Sequence, residues 1–109
     1  TVRLQMLSYP GVFTPTDAFR AIKAGATGLK FFPAEQAGGA AYLKSLSSPL
    51  AGTLFCPTGG ITPDNARDYL SLSNVICVGG SWVAPTALVE AGDWDGITRL
   101  ATEASRLSA

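Results

Sequence analysis

The sequence predicts an α/β protein whose parallel sheet is built from four successive βα units. Short apolar runs alternate with segments of helical periodicity, glycine or proline follows the apolar runs, and each unit spans about 20 to 25 residues. Parallel strands need a crossover connection, which is usually a helix, so this alternation indicates a parallel sheet.

The first unit begins with an apolar run and a well-marked helix. The run over 6–13 contains a Pro-Gly pair and predicts a strand fragment or a loop. Thr14 or Thr16 is expected to cap the helix, because a threonine hydroxyl can accept a hydrogen bond from a free backbone amide of the first turn. Asp17 suits the positive end of the helix dipole, and Gly25 ends the helix.

The other three units are predicted from the same signals. Thr62 is expected to cap the third helix, with Pro63 in its first turn and Asp64 near the positive end of its dipole. The predicted elements are strands over 28–33, 53–57 and 75–78, and helices over 40–46, from 62 to about 70, and over 94–107.

Two architectures fit four βα units, a doubly wound sheet and half of a (β/α)8 barrel. A full barrel needs roughly 200 to 250 residues, so a chain of 109 residues holds about half of one. The chain opens at Thr1 directly into an apolar segment, and we expect it to be the later part of a longer protein.

Composition excludes several classes of function. Eight Lys and Arg residues balance eight Asp and Glu residues, so no basic excess is available for nucleic acid. No uninterrupted apolar run reaches about 18 residues, so no membrane partner is expected. His is absent and no ligand cluster is seen, so we expect no metal and no cofactor. Cys56 and Cys77 lie in strand-like runs and are expected to be buried free thiols, in keeping with a cytoplasmic location.

Lys30 is the first candidate for chemistry, because it interrupts an apolar strand. Side chains alternate along a strand, so Lys30 and Phe32 should share one face near the carboxyl end, where α/β proteins place their sites. A lysine kept neutral by apolar surroundings is a nucleophile that forms a Schiff base with a carbonyl carbon. The alternative is a lysine that extends into solvent or pairs with a carboxylate such as Glu35.

Two Gly-Gly pairs, each following an apolar run, are the second candidate. The segments are Thr58-Gly59-Gly60 and Gly79-Gly80-Ser81. Glycine lets backbone amides approach an anion, and (β/α)8 barrels frequently bind phosphate in the loops after their seventh and eighth strands. The alternative is ordinary turn chemistry. Trp82, which follows directly, is expected to be a packing residue.

Four segments of the chain stand in the order and spacing of a known family of aldolases. They are PGVFTP (10–15), LKFFPAE (29–35), PTGGI (57–61) and VGGSW (78–82). Together they resemble the 2-dehydro-3-deoxy-6-phosphogluconate (KDPG) aldolases, which often also cleave 4-hydroxy-2-oxoglutarate. The resemblance is strong from about residue 9 to residue 82 and looser to residue 107.

The resemblance implies a class I aldolase, a carbon–carbon lyase, on a (β/α)8 barrel. Such enzymes are usually cytoplasmic homotrimers of the Entner–Doudoroff pathway, and residues 1–109 would form the C-terminal half of the barrel. Lys30 would attack the C2 ketone, so that cleavage of the C3–C4 bond yields pyruvate and glyceraldehyde 3-phosphate. The resemblance assigns substrate and phosphate binding to Phe32, Thr58, Gly59, Gly60, Gly80 and Ser81.

The resemblance also indicates what this chain lacks. The family's general base, a Glu, and a substrate-binding Arg come from the first half of the barrel and match no position here, so residues 1–109 alone are expected to be inactive. Two other functions stay open from the residues themselves. One is a phosphate-sugar barrel of different chemistry, in which Lys30 pairs with an anionic substrate. The other is a non-catalytic α/β binding domain.

Overall fold

The computed structural model describes residues 4–108, in which three parallel strands form a sheet in the order β1-β2-β3. The strands are β1 (Gly11–Val12), β2 (Gly28–Phe31) and β3 (Leu54–Pro57). In this register Lys30 lies between Gly11 on one side and Cys56 on the other. The predicted α/β class with a parallel sheet is therefore confirmed.

Five helices and one short turn of 3-10 helix connect and follow the strands. The α-helices are α1 (Pro15–Lys23), α2 (Gly39–Ser45), α3 (Ala66–Leu70), α4 (Thr86–Glu90) and α5 (Trp94–Ser105), and the 3-10 turn is Ser81–Val83. Helix α4 and the 3-10 turn were not among the predicted elements, because each is too short to show a helical period.

Helix α1 begins with the predicted threonine cap. The Thr14 hydroxyl accepts a hydrogen bond from the Asp17 amide at 3.2 Å, and the Asp17 carboxylate accepts one from the Thr14 amide at 2.9 Å. This reciprocal pair identifies Thr14, not Thr16, as the cap. The amides of Thr14 and Phe13 that donate to the carboxylate hold the pKa of Asp17 below its ordinary value.

The core lies between the sheet and the helices. Leu29 and Phe31 of β2 and Phe55 of β3 are fully buried. The Phe31 ring stacks on Tyr42 of α2 at 5.7 Å between centroids and meets Phe55 edge-on at 6.4 Å. Because strand side chains alternate, the residues between these are directed to the opposite face.

That opposite face of the sheet is open and partly apolar. Phe32 is 50% exposed, Leu54 38% and Ile76 52%. Single exposed apolar residues are ordinary, but three on one sheet face mark a surface that a further layer would normally cover.

The fourth predicted strand, 75–78, is not a regular strand. The segment makes isolated parallel bridges at its two ends, Phe55 with Val75 and Thr58 with Gly79. Between these bridges, the three residues 76–78 lie opposite the two residues 56–57. One extra residue on one side of a strand pair is the signature of a β-bulge. Cys77 lies in the bulge and is exposed, so its predicted burial was wrong, whereas Cys56 is half-buried.

The third helix starts later than predicted. Helix α3 begins at Ala66, and Thr62 does not cap it with its hydroxyl. Asn65 instead accepts a hydrogen bond from the Thr62 amide at 2.8 Å and donates one to the Gly60 carbonyl at 2.9 Å. These bonds hold residues 63–65 in a turn before the helix.

Across residues 4–108, no helix combines the length and hydropathy needed to cross a bilayer.

Candidate functional site

A cavity of about 550 Å³ opens at the carboxyl end of the strands. It is lined by all seven residues that the sequence indicated, Lys30, Phe32, Thr58, Gly59, Gly60, Gly80 and Ser81. The four further lining residues are Ile61, Thr62, Gly79 and Trp82. Residues from three separate loops thus meet in one place, because parallel strands bring their carboxyl ends to one edge.

Lys30 projects from β2 on the open face of the sheet. Its neighbours Leu29 and Phe31 are buried, but Lys30 itself is exposed, as in the alternative of a lysine that extends towards solvent. The sharing of a face with Phe32 is confirmed, since Lys30 Nζ lies 5.1 Å from the centroid of the Phe32 ring. At this distance the ring face attracts the ammonium group and holds the amine at the cavity wall.

Gly59 and Gly60 form the first loop, and both have positive φ angles, +98° and +77°. The carbonyl groups of Thr58 and Gly59 accept hydrogen bonds from the amides of Ala34 at 2.8 Å and Glu35 at 3.1 Å. The amides of Gly59 and Gly60 donate to no acceptor within residues 4–108. The carbonyls of Thr58 and Gly59 are therefore paired to the chain after β2, and the amides of Gly59 and Gly60 are available for an anion.

The second loop, Gly79-Gly80-Ser81, is packed against Thr58 and Trp82. A Cβ on Gly79 would lie 2.6 Å from Thr58 Cγ2, and one on Gly80 would lie 1.8 Å from the Trp82 ring. No larger residue fits at either position without displacing these side chains. The amides of Gly80 and Ser81, like those of the first loop, find no acceptor in the described part of the chain.

The hydroxyl of Thr58 is a further unpaired polar group of the cavity. Its Oγ1 atom is buried and has no hydrogen-bond partner within residues 4–108. A buried hydroxyl without a partner costs free energy, so Thr58 favours a ligand that supplies a hydrogen bond.

Trp82 and Thr62 line the cavity, although the sequence indicated other roles for them. Trp82 does pack against the core, as predicted, but its ring also covers Gly80 and faces the cavity. The available signal was position, because Trp82 directly follows Ser81 at the end of a strand-like run. Thr62 was interpreted as a helix cap, and its place two residues after Gly60 was the overlooked signal.

Glu35 does not pair with Lys30 and contacts Tyr69 instead. The Tyr69 hydroxyl donates a hydrogen bond to Glu35 Oε1. Burial, and then this hydrogen bond, raise the pKa of Tyr69 above its ordinary value, so the hydroxyl stays protonated. Glu35 itself does not line the cavity.

Cys56 lies on the open face next to Lys30 in the sheet register. Burial, and secondly its contact with Cys77, raise the pKa of the Cys56 thiol to about 11. The thiol is therefore protonated at neutral pH and a poor nucleophile.

Residues 4–108 contain no group of three or more side chains arranged to bind a metal ion.

A lysine amine and two loops of unpaired amides lie at the carboxyl edge of the parallel sheet, which is where the class of α/β proteins generally places its binding sites. The family follows from the sequence. The sequence model of the family described as KDPG and KHG aldolase matches residues 1–100, and the chain therefore belongs to that family.

Similar proteins agree with this assignment. The 2-dehydro-3-deoxy-phosphogluconate aldolase of Pseudoalteromonas atlantica is 53% identical over 95 residues, which are 87% of this chain and 44% of that protein. The KDPG aldolase of Zymomonas mobilis, solved with 3-phosphoglycerate, has a TM-score of 0.88 and 44% identity over 97% of this chain and 49% of its own. The Legionella pneumophila KDPG aldolase, solved with pyruvate as a covalent carbinolamine, has a TM-score of 0.85 and 41% identity over 88% of this chain and 47% of its own. The chain thus spans about half the length of the proteins it matches.

Proposed function

We propose that this chain supplies the Schiff-base lysine and the phosphate loops of a class I aldolase. The substrate would be 2-dehydro-3-deoxy-6-phosphogluconate, cleaved to pyruvate and glyceraldehyde 3-phosphate, with 4-hydroxy-2-oxoglutarate as a second substrate. One observation carries the proposal: Lys30, which bears the amine, lines the same cavity as both loops of unpaired amides.

In the proposed reaction, Lys30 Nζ attacks the C2 ketone and water leaves, which gives a protonated imine. The C4 hydroxyl loses its proton, the C3–C4 bond breaks, and its electrons move into the imine to form an enamine. Glyceraldehyde 3-phosphate leaves, the enamine is protonated at C3, and water releases pyruvate and the free amine. Phe32 borders the reacting amine, and Thr58 Oγ1 would bond a substrate hydroxyl.

The phosphate would lie at the two glycine loops. Phosphate oxygens accept hydrogen bonds, and the amides of Gly59, Gly60, Gly80 and Ser81 are unpaired donors of residues that line the cavity. A neutral amide site fits a chain with no basic excess, because the donors are backbone groups.

We further propose that residues 1–109 are the C-terminal half of a (β/α)8 barrel. The open sheet face with its half-exposed Phe32 and Ile76 supports this, since a first half would cover it. The radius of gyration of 15.1 Å also exceeds the roughly 13 Å of a compact domain of about 100 residues. No described residue that lines the cavity carries a carboxylate, so the general base would come from the other half and these residues alone would be inactive.

Trapping of the imine tests the proposed chemistry. The full-length protein is incubated with pyruvate and borohydride, digested with trypsin and analysed by mass spectrometry. A reduced imine at Lys30 blocks cleavage there, so the label should appear in the peptide from Ala24 to Lys44. Lys30→Met should abolish the label and Lys23→Met should not. A label at another lysine, or no label, would refute the proposal.

Ligand binding measured beside the trapping experiment distinguishes the alternatives. A phosphate-sugar protein of different chemistry would bind 3-phosphoglycerate without trapping pyruvate, and a non-catalytic domain would keep its ligand binding in Lys30→Ala.

The proposal also includes a cytoplasmic homotrimer of the Entner–Doudoroff pathway, which the family resemblance supports. Light scattering of the full-length protein after size exclusion measures the assembly, and a mass other than three chains would refute the trimer.

A further inference from the structure

We propose that Glu35 is a positioning residue that fixes the Gly59–Gly60 loop for the phosphate by joining it to Tyr69 of α3. The inference rests on the proposed function, since it concerns the phosphate end of that site. Glu35 does not line the cavity, so its effect would pass through the loop and not through contact with substrate.

The main chain and the stem of Glu35 lie directly against the loop. The Glu35 amide donates a hydrogen bond to the Gly59 carbonyl at 3.1 Å. A Cβ built on Gly60 would lie 2.7 Å from Glu35 Cγ and 2.8 Å from Glu35 Cβ. The Glu35 stem therefore occupies the space beside Gly60 and limits how far the loop can move in that direction.

The carboxylate end of Glu35 is fixed by a buried partner. Tyr69 is 1% exposed and belongs to the hydrophobic core, and its hydroxyl donates to Glu35 Oε1. Gly39 at the start of α2 lies beside the pair, since a Cβ there would be 3.6 Å from the Tyr69 hydroxyl and 3.7 Å from Glu35 Oε1. Glu35 is thus attached at one end to the core and at the other to the loop.

This attachment matters because the loop is intrinsically adaptable. Two consecutive glycines have the widest choice of backbone conformations, and ordering them on ligand binding costs free energy. Donors that are already fixed avoid this cost. Glu35 also follows Lys30 by five residues, in the turn after β2, so the contact sets the loop relative to the amine that would bind the other end of the substrate.

The experiment compares two ligands in the full-length protein. Affinity for 3-phosphoglycerate is measured by calorimetry, and the rate of borohydride trapping of pyruvate at Lys30 is measured separately. Glu35→Ala should raise the Kd for 3-phosphoglycerate at least about fivefold, the effect of one lost hydrogen bond of ordinary strength. It should leave pyruvate trapping unchanged. Glu35→Gln should restore affinity, because its amide oxygen can accept from Tyr69, and Glu90→Ala on α4 is the matched surface control.

The other outcomes overturn the inference. If folded Glu35→Ala binds 3-phosphoglycerate as the wild type does, Glu35 does not position the loop. If Glu35→Ala loses pyruvate trapping and phosphate affinity together, its role is general stability. If Glu35→Ala does not fold, Tyr69→Phe decides, since it should weaken phosphate binding and an unchanged Kd would refute the inference. Failure of the wild type to trap pyruvate would instead refute the proposed function.

Discussion

Replacing Gly60 by alanine tests the close contact in the first loop. Gly60 has φ +77°, and Gly52 has the nearly equal φ +79° with no atom within 4 Å of the place that an added Cβ would occupy. An L-residue in this region costs about 1–2 kcal/mol, which is the whole cost expected for Gly52→Ala. Gly60→Ala adds the overlap with Glu35 at 2.7 Å, and overpacking costs about 1–3 kcal/mol more. We therefore expect a total of about 2–5 kcal/mol for Gly60→Ala.

Urea denaturation followed by circular dichroism measures these free energies of unfolding. Gly11→Ala is the baseline, because Gly11 has no positive φ and no neighbour within 4 Å, and its change should stay within about 0.5 kcal/mol. In a double-mutant cycle, Gly60→Ala should cost about 1 kcal/mol or more less in the Glu35→Gly background than in the wild type, since the overlapping atoms are gone. Equal costs for Gly60→Ala and Gly52→Ala would refute the assignment of Glu35 as the limiting contact.

Three further predictions concern other parts of the chain. The pKa of Asp17 is lowered on folding, so its ionised carboxylate stabilises the fold above the ordinary pKa of 3.8, and this stabilisation is lost as the pH falls through the lower folded value. In Asp17→Asn, this part of the acid dependence of Tm should disappear. Asn74→Ala removes the buried donor to the Leu43 carbonyl, and urea denaturation should show a loss of about 1–3 kcal/mol, whereas no loss would mean that water replaces the bond. Iodoacetamide should modify exposed Cys77 before Cys56, whose burial raises its pKa to about 11; mass spectrometry showing Cys56 modified first would contradict the described packing.

Local signals in the sequence predicted the local structure well. The cap at Thr14 and the strand that carries Lys30 depend on neighbours within a few residues, so their types and spacing indicate them directly. The cavity was also predictable, because a parallel sheet brings the ends of successive strands to one edge whatever their separation along the chain.

Contacts between distant residues decided the rest. The hydrogen bond from Tyr69 to Glu35 joins residues 34 positions apart, and no spacing rule indicates it. The exposure of Lys30 depends on the sheet face being open, which is a property of the tertiary arrangement and not of the apolar run around it. Likewise, the fourth strand is interrupted by an extra residue between its bridges to Phe55 and Thr58, which is a property of the pairing between two segments and not of the apolar run itself.

The bulge between Val75 and Gly79 has a consequence for insertions and deletions in this protein. Removing one residue from 76–78 would restore even pairing with β3 and would make the sheet more regular. Gly79 would stay opposite Thr58, so Gly80 and Ser81 would keep their places at the cavity. A residue removed after Gly79 would instead draw the loop back by about 3.3 Å, the rise of one strand residue, which is longer than a hydrogen bond. The bulge can thus absorb a change of one residue in this segment without moving the second loop, whereas the residues that follow Gly79 cannot change in number without altering the site.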